Sequence, residues 1–189
     1  MLLVVFLIGL FGSLLLFVIF IAMQPALYRV SRQITIAAPP EAVFDRVNDF
    51  RQWEAWSPWE KIDPTMRKTY SGEPAGHGAI YEWDSEGKAG KGRMTLGESL
   101  PVERIRIKLE MMRPIASRSE VEFALLRQED QTTVTWTTAG RNGFLAKAFC
   151  LFVNMDKLLG ADFEKGLSQL KAVTECSPQA TASAATGVR

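Results

Sequence analysis

Residues 104–111 read Arg104-Ile105-Arg106-Ile107-Lys108-Leu109-Glu110-Met111, a strict alternation of charged and apolar side chains. Successive residues of a strand point to opposite faces, so the four apolar side chains share one side and the four charges the other. This is the pattern of an antiparallel strand with one face on a core and one in water. The same reading extends outward. After a turn over 114–117, Val121, Phe123 and Leu125 alternate with Glu120, Glu122 and Ala124, and 132–139 is a Thr-rich strand with Val134 and Trp136. Upstream, Ala79, Tyr81 and Trp83 alternate with Ile80, Glu82 and Asp84, and 90–98 carries Met94 and Leu96 in a strand weakened by glycines. Residues 29–37 supply a first strand around Val30, Ile34 and Ile36.

Helical spacing occurs at the two ends of this series. Pro39-Pro40 closes the first strand, with Pro40 suited to a first helical position, and Val43, Phe44 and Val47 share a face. A second short helix carries Phe50, Trp53 and Trp56 and stops before Pro58. Over 144–173, Leu145, Ala148, Phe149, Phe152, Met155, Leu159, Phe163, Leu167 and Leu170 form one stripe at steps of three or four. This predicts a single long helix in which Gly160 and Gly166 mark close packing on the sheet, or a kink near Gly160. A strand, two short helices, five or six antiparallel strands and a long helix make an α+β domain, because the helices are segregated from the meander.

Residues 1–23 contain no charged side chain. A bilayer core of about 30 Å needs about 20 apolar helical residues, so this run is long enough to span. It lacks the basic start and short apolar stretch of a cleaved signal peptide. The expected organisation is a transmembrane helix over 1–23, a linker over 24–29, a ligand-binding domain over 30–174 and a disordered tail over 175–189 rich in Ser, Ala and Thr. Arg29, Arg32 and Arg46 follow the span and no basic residue precedes it, which places the domain in the cytoplasm. With 22 basic against 21 acidic residues, the chain lacks the basic surplus of a nucleic-acid binder. Cys150 and Cys176 define neither a disulfide framework nor a zinc site, and neither a metal nor a cofactor is expected.

The run Ile34-x-Ile36…Pro39-Pro40-x-x-Val43-Phe44-x-x-Val47-x-Asp49-Phe50-x-x-Trp53-x-x-Trp56-Ser57-Pro58-Trp59 resembles the opening of the START-like (SRPBCC) superfamily, in its bacterial polyketide cyclase/dehydrase and lipid-transport branch. The segment Met155-Asp156-x-x-x-Gly160-x-Asp162-Phe163-x-x-Gly166-Leu167-x-x-Leu170-Lys171 is similar to that branch's C-terminal helix. The resemblance implies a helix-grip fold, a curved antiparallel sheet around a long helix with a cavity between them. It carries no single catalytic motif, and relatives range from lipid carriers to cyclases and co-chaperones, so one architecture serves many functions.

The side chains expected to wall such a cavity are Trp59, Tyr81, Trp83, Met94, Ile107, Met111, Phe123, Trp136, Phe149 and Met155, an aromatic and methionine set suited to an adaptable apolar pocket. Trp53 and Trp56 read as core, as does Phe163 near the packed end of the long helix. The expected function is membrane-anchored binding of a hydrophobic small molecule or lipid. Two alternatives are a cyclase- or dehydratase-like enzyme and a protein-interaction module. The enzyme would need a carboxylate within hydrogen-bond reach of Tyr81 or His77 inside the pocket. His77, in Gly76-His77-Gly78, reads as a loop residue, and no Gly-x-Ser-x-Gly elbow accompanies it. Gly87-Lys88-Ala89-Gly90-Lys91-Gly92 lacks the Gly-Lys-Ser/Thr ending of a phosphate loop and reads as a hairpin turn. Arg104, Arg106 and Lys108 are expected to pair across the sheet with Glu120 and Glu122.

Overall fold

A computed structural model describes residues 2–151 and 153–176. The first helix, α1 (Leu2–Met23), has 22 residues, about 33 Å at 1.5 Å per residue. Its stretch Phe6–Met23 is long and apolar enough to cross a membrane. Strand β1 (Leu27–Ile36) begins only three residues after α1, so the segment read as a linker over 24–29 is already strand from Leu27 onward. The expected tail falls outside the described residues from position 177.

Strands β2 (Arg67–Gly72), β3 (Ala79–Asp84), β4 (Lys91–Leu100), β5 (Arg104–Arg113), β6 (Ser117–Gln128) and β7 (Gln131–Arg141) complete one antiparallel sheet with β1. The order is β1-β7-β6-β5-β4-β3-β2, a meander with the first strand returned beside the last. Strand β2 has no counterpart in the sequence reading, because Arg-Lys-Thr-Tyr-Ser-Gly offers one large apolar side chain and no alternation to detect. The charged face of β5 pairs across the sheet in part as expected: Arg106 lies 2.8 Å from Glu122 and 3.6 Å from Glu120, whereas Arg104 meets Glu98 of β4 at 3.3 Å. Arg106 also meets Glu98, at 3.2 Å. Register shifts between Lys91 and Gly92 and between Leu96 and Glu98 bend β4, and bulges of this kind add the twist that curves a sheet.

Helix α2 (Pro40–Asn48) and two 3-10 turns, Phe50–Ala55 and Pro58–Lys61, cover part of the sheet. The last carbonyls of a helix need outside donors. Here the Trp53 and Trp56 indoles supply them, donating to the Val47 carbonyl at 3.0 Å and the Arg46 carbonyl at 3.1 Å. Both tryptophans are fully buried, as the sequence reading expected.

The C-terminal stripe forms two helices rather than one, α3 (Phe144–Cys150) and α4 (Met155–Glu175). The break falls at Asn154, whose side chain accepts from the Lys157 N–H at 3.0 Å and so starts a new helix. No break occurs at Gly160. Instead, both glycines mark close packing. A Cβ at Gly166 would stand 2.8 Å from the Trp136 ring of β7 and 3.1 Å from Pro58, while the Arg32 guanidinium of β1 lies across Gly160. Arg32 also donates to Glu164 at 2.8 Å and to both Asp156 carboxylate oxygens at 3.1 Å, so one side chain ties β1 to two turns of α4. These bonds hold the Asp156 carboxyl below its usual range, against a smaller opposing effect of burial.

The two glycines should respond unequally to alanine. Glycine inside a helix costs about 1 kcal/mol relative to Ala. At Gly166 that gain is outweighed by overpacking against a fixed indole, so Gly166→Ala should destabilise by about 1–3 kcal/mol. At Gly160 the group that must yield is the end of an arginine, which can shift by loosening its bonds to Asp156 and Glu164, so Gly160→Ala should cost less than Gly166→Ala. Denaturant melts of the two variants decide this; an equal response would mean that α4 is not seated on Trp136.

Candidate functional site

Between α4 and the sheet lies a cavity of about 400 Å³, within the range of about 300–1,000 Å³ typical of small-molecule sites. Met155, Leu159 and Phe163 of α4 form one wall, and inward residues of β3 to β7 form the other. Seven of the ten expected residues line it: Trp59, Tyr81, Trp83, Met94, Met111, Trp136 and Met155.

Ile107, Phe123 and Phe149 do not line the cavity. Ile107 and Phe123 point to the same side as the lining residues but are fully buried in the packed core. Phe149 lies on α3, on the far side of the Asn154 break, and is 46% exposed. Leu109 and Val121 take their place. Alternation shows which face a residue occupies and not how far along the strand the packing ends. Ile105 pairs with Phe123 deep in the core, Leu109 with Ser119 and Met111 with Ser117 farther out, where the cavity lies. Phe163 is both buried and part of the wall, its ring stacked on Trp136 at 4.4 Å and 5°. Phe152 lies outside the described residues.

Among the lining residues Lys88 is exposed and Ala89, Met111, Ser117 and Met155 are partly exposed, which puts the open end of the cavity beside them. These residues sit where β3, β5 and β7 end and where β1, β4 and β6 begin. Two aromatic–glycine cross-strand pairs, Tyr28 with Gly140 and Trp83 with Gly92, stand at this end. In each the ring occupies the space a Cβ would need.

One wall is polar. The Tyr81 hydroxyl donates to the Glu60 carboxylate at 2.7 Å, and Lys68 approaches the other carboxylate oxygen at 2.5 Å. The Lys68 contact is an ion pair and not an aligned hydrogen bond. Glu60 is buried, and a buried charge is tolerable only when paired. Burial, followed by the Glu60 hydrogen bond, pushes the Tyr81 phenol well above its ordinary range. Burial works to lower the Lys68 ammonium, but the close approach and charge of the Glu60 carboxylate outweigh that, and the net direction is upward. Tyr70 stacks on Tyr81 at 5.1 Å and extends the cluster. The Trp136 indole N–H is buried without a hydrogen-bond partner among the described residues. His77 stays outside, its Nδ1 2.7 Å from the Gly97 carbonyl at the opposite end of the sheet. Among the described residues no three His, Cys, Asp or Glu gather as metal ligands.

Sequence reasoning missed Glu60 and Lys68. Glu60 falls in a 3-10 turn, where no periodicity says which way a side chain points, and Lys68 lies on the unrecognised β2.

A family model described as polyketide cyclase / dehydrase and lipid transport matches residues 28–175. No curated protein matches the chain. The fold is similar to protein CV1439 from Chromobacterium violaceum, with a TM-score of 0.57 and 16% identity, covering 79% of this chain and 99% of that one. A protein from Nitrosospira multiformis has a TM-score of 0.56 at 20% identity, covering 82% and 99%. The Aha1 dimer from Colwellia psychrerythraea has a TM-score of 0.51 at 15% identity, covering 78% and 94%. Identities this low establish the shared architecture.

The raised Tyr81 value has a signed consequence. A group whose folded value exceeds its unfolded value of about 10 contributes stability that is present below that pH and lost as pH rises toward the folded value. Replacing Tyr81 by Phe should therefore flatten the alkaline limb of the stability curve above about pH 10. An alkaline limb that is the same in Tyr81→Phe and wild type would mean the phenol is not buried against Glu60.

Proposed function

The chain belongs to the polyketide cyclase / dehydrase and lipid transport family, and from that premise we propose that it is a membrane-anchored carrier holding a hydrophobic small molecule or lipid in its helix-grip cavity. The observation that carries this reading is the apolar wall of Trp, Met, Leu and Phe around about 400 Å³ beside packed core. Apolar space unfilled by side chains forfeits packing energy, and a ligand of matching shape restores it. The Glu60–Tyr81 wall and the unpartnered Trp136 N–H offer polar positions for one headgroup or hydroxyl. Helix α1 anchors the domain, on the cytoplasmic side favoured by Arg29, Arg32 and Arg46; a C-terminal alkaline phosphatase fusion in a bacterial host should be inactive there and active if the orientation is reversed.

Native mass spectrometry of residues 24–189, which retains all of β1, should show lipid-sized adducts. A clean unliganded mass would sink the carrier reading. Met155→Trp should fill the cavity and abolish the adducts while leaving the denaturant midpoint nearly unchanged. If it instead destabilises by about 1–3 kcal/mol, the region is dense core.

A second reading, an enzyme of cyclase or dehydratase type, is favoured by one observation: a buried carboxylate 2.7 Å from the Tyr81 hydroxyl in the cavity wall. Such a pair can pass a proton to or from a bound carbonyl compound. Incubation of the purified chain with its eluted ligand should then yield a new mass that Glu60→Gln prevents without weakening binding. An unaltered ligand under all conditions returns Glu60 to a recognition role.

A further inference from the structure

We propose that α3 is an interfacial helix that seats the cavity's open end on the bilayer surface, so that ligand enters from the lipid through the gap between Tyr28 and Met155. The inference rests on the carrier reading and adds the route of entry.

Three independent features converge on it. Strand register places the open end of the cavity at the end of the sheet where β1 begins, three residues from α1. Helix α3 abuts the end of α1: the Lys147 ammonium donates to the Ala22 carbonyl at 2.9 Å, and the Asn142 N–H to the Ala26 carbonyl at 2.7 Å. The apolar side of α3 is uncovered, with Leu145 69% exposed and Phe144 and Phe149 each 46%. At 100° per residue, Phe144, Leu145, Ala148 and Phe149 fall within an arc of about 140°. A short helix with apolar residues on one side and a lysine on the other, continuous with a candidate span, has the chemistry of the headgroup boundary. A protein partner would account for the exposed face and not for its junction with α1.

A second, more open surface pocket supplies the passage. It is bounded by Pro25, Leu27 and Lys147 beside α1 and shares Tyr28 and Met155 with the main cavity. Lipid-facing surface and ligand cavity therefore meet at two side chains. The Tyr28 ring reaches over Gly140, and Met155 is the first residue of α4 with an unbranched side chain, so both side chains can change rotamer without disturbing the sheet.

The test uses the full chain in vesicles of phosphatidylcholine with a minor fraction of phosphatidylglycerol. Nitroxide labels are placed at Leu145→Cys, Phe149→Cys and, at the opposite end of the sheet, Ala75→Cys, with Cys150 and Cys176 replaced by Ser. Positions 145 and 149 should favour collision with oxygen and position 75 with a water-soluble nickel reagent. Uptake of a dansyl fatty acid from the vesicles should be about tenfold slower for Leu145→Glu combined with Phe149→Glu. The same variant should match wild-type affinity when the probe is delivered in detergent micelles. Water-exposed labels at 145 and 149, or an unchanged uptake rate, overturns the proposal. If wild type binds no probe even in micelles, the carrier reading fails, and the label accessibilities still decide where α3 sits.

Discussion

The stacking of Phe163 on Trp136, with Gly166 allowing the helix backbone to close on the same indole, determines how α4 lies on the sheet. From this contact toward the C-terminus, Leu167 and Leu170 are fully packed. Toward the N-terminus the helix and the sheet part, and Leu159 and Met155 face open space. Arg32 governs the other coordinate. By lying over Gly160 and bonding to Asp156 and Glu164, it fixes the lateral position of the diverging half without filling the gap. A hydrophobic residue at position 32 directed at the cavity would have closed it. An arginine that reaches along the edge of the helix stabilises the separation instead.

The cavity wall is mainly apolar, and its buried charge is the Glu60 carboxylate, held by Tyr81 within the lining and by Lys68 behind it. Burying a carboxylate beside tryptophan and methionine is costly unless its charge is compensated, and an apolar triplet of similar volume could pack there as well. On the proposed carrier reading, an ionic group in such a wall would orient the ligand. An apolar body can slide in any orientation, whereas a hydroxyl or carbonyl must end near the Tyr81–Glu60 pair to recover the hydrogen bonds it leaves in water.

The fold was legible because period and parity are local. The alternation of Arg104 to Met111 identifies one half-buried strand, and each neighbour repeats it. Side-chain depth was only half legible. Ile107 and Met111 have the same parity and chemistry, yet one is core and the other cavity wall, because the distinction depends on where α4 diverges four residues along the strand. Phe149 failed for a different reason. Its stripe runs unbroken through Asn154, and helical spacing does not reveal that a side-chain cap will restart the helix there. Glu60 was illegible because a 3-10 turn has too few residues to display a period. Gly160 and Gly166 carried the opposite lesson: two residues that weaken a helix in isolation mark where it touches a guanidinium and an indole.

Only Gln24, Pro25 and Ala26 separate α1 from β1, and the Ala26 carbonyl is already bonded to Asn142. Three extended residues reach about 10 Å, too little for the domain to turn over above a membrane. For the proposed carrier with α1 in a bilayer, the search for ligand would be two-dimensional, and encounters would be set by lateral diffusion. The relevant concentration is then the mole fraction of ligand in the leaflet and not its sparse aqueous concentration. A cavity so placed can work with modest intrinsic affinity, and modest affinity permits rapid release.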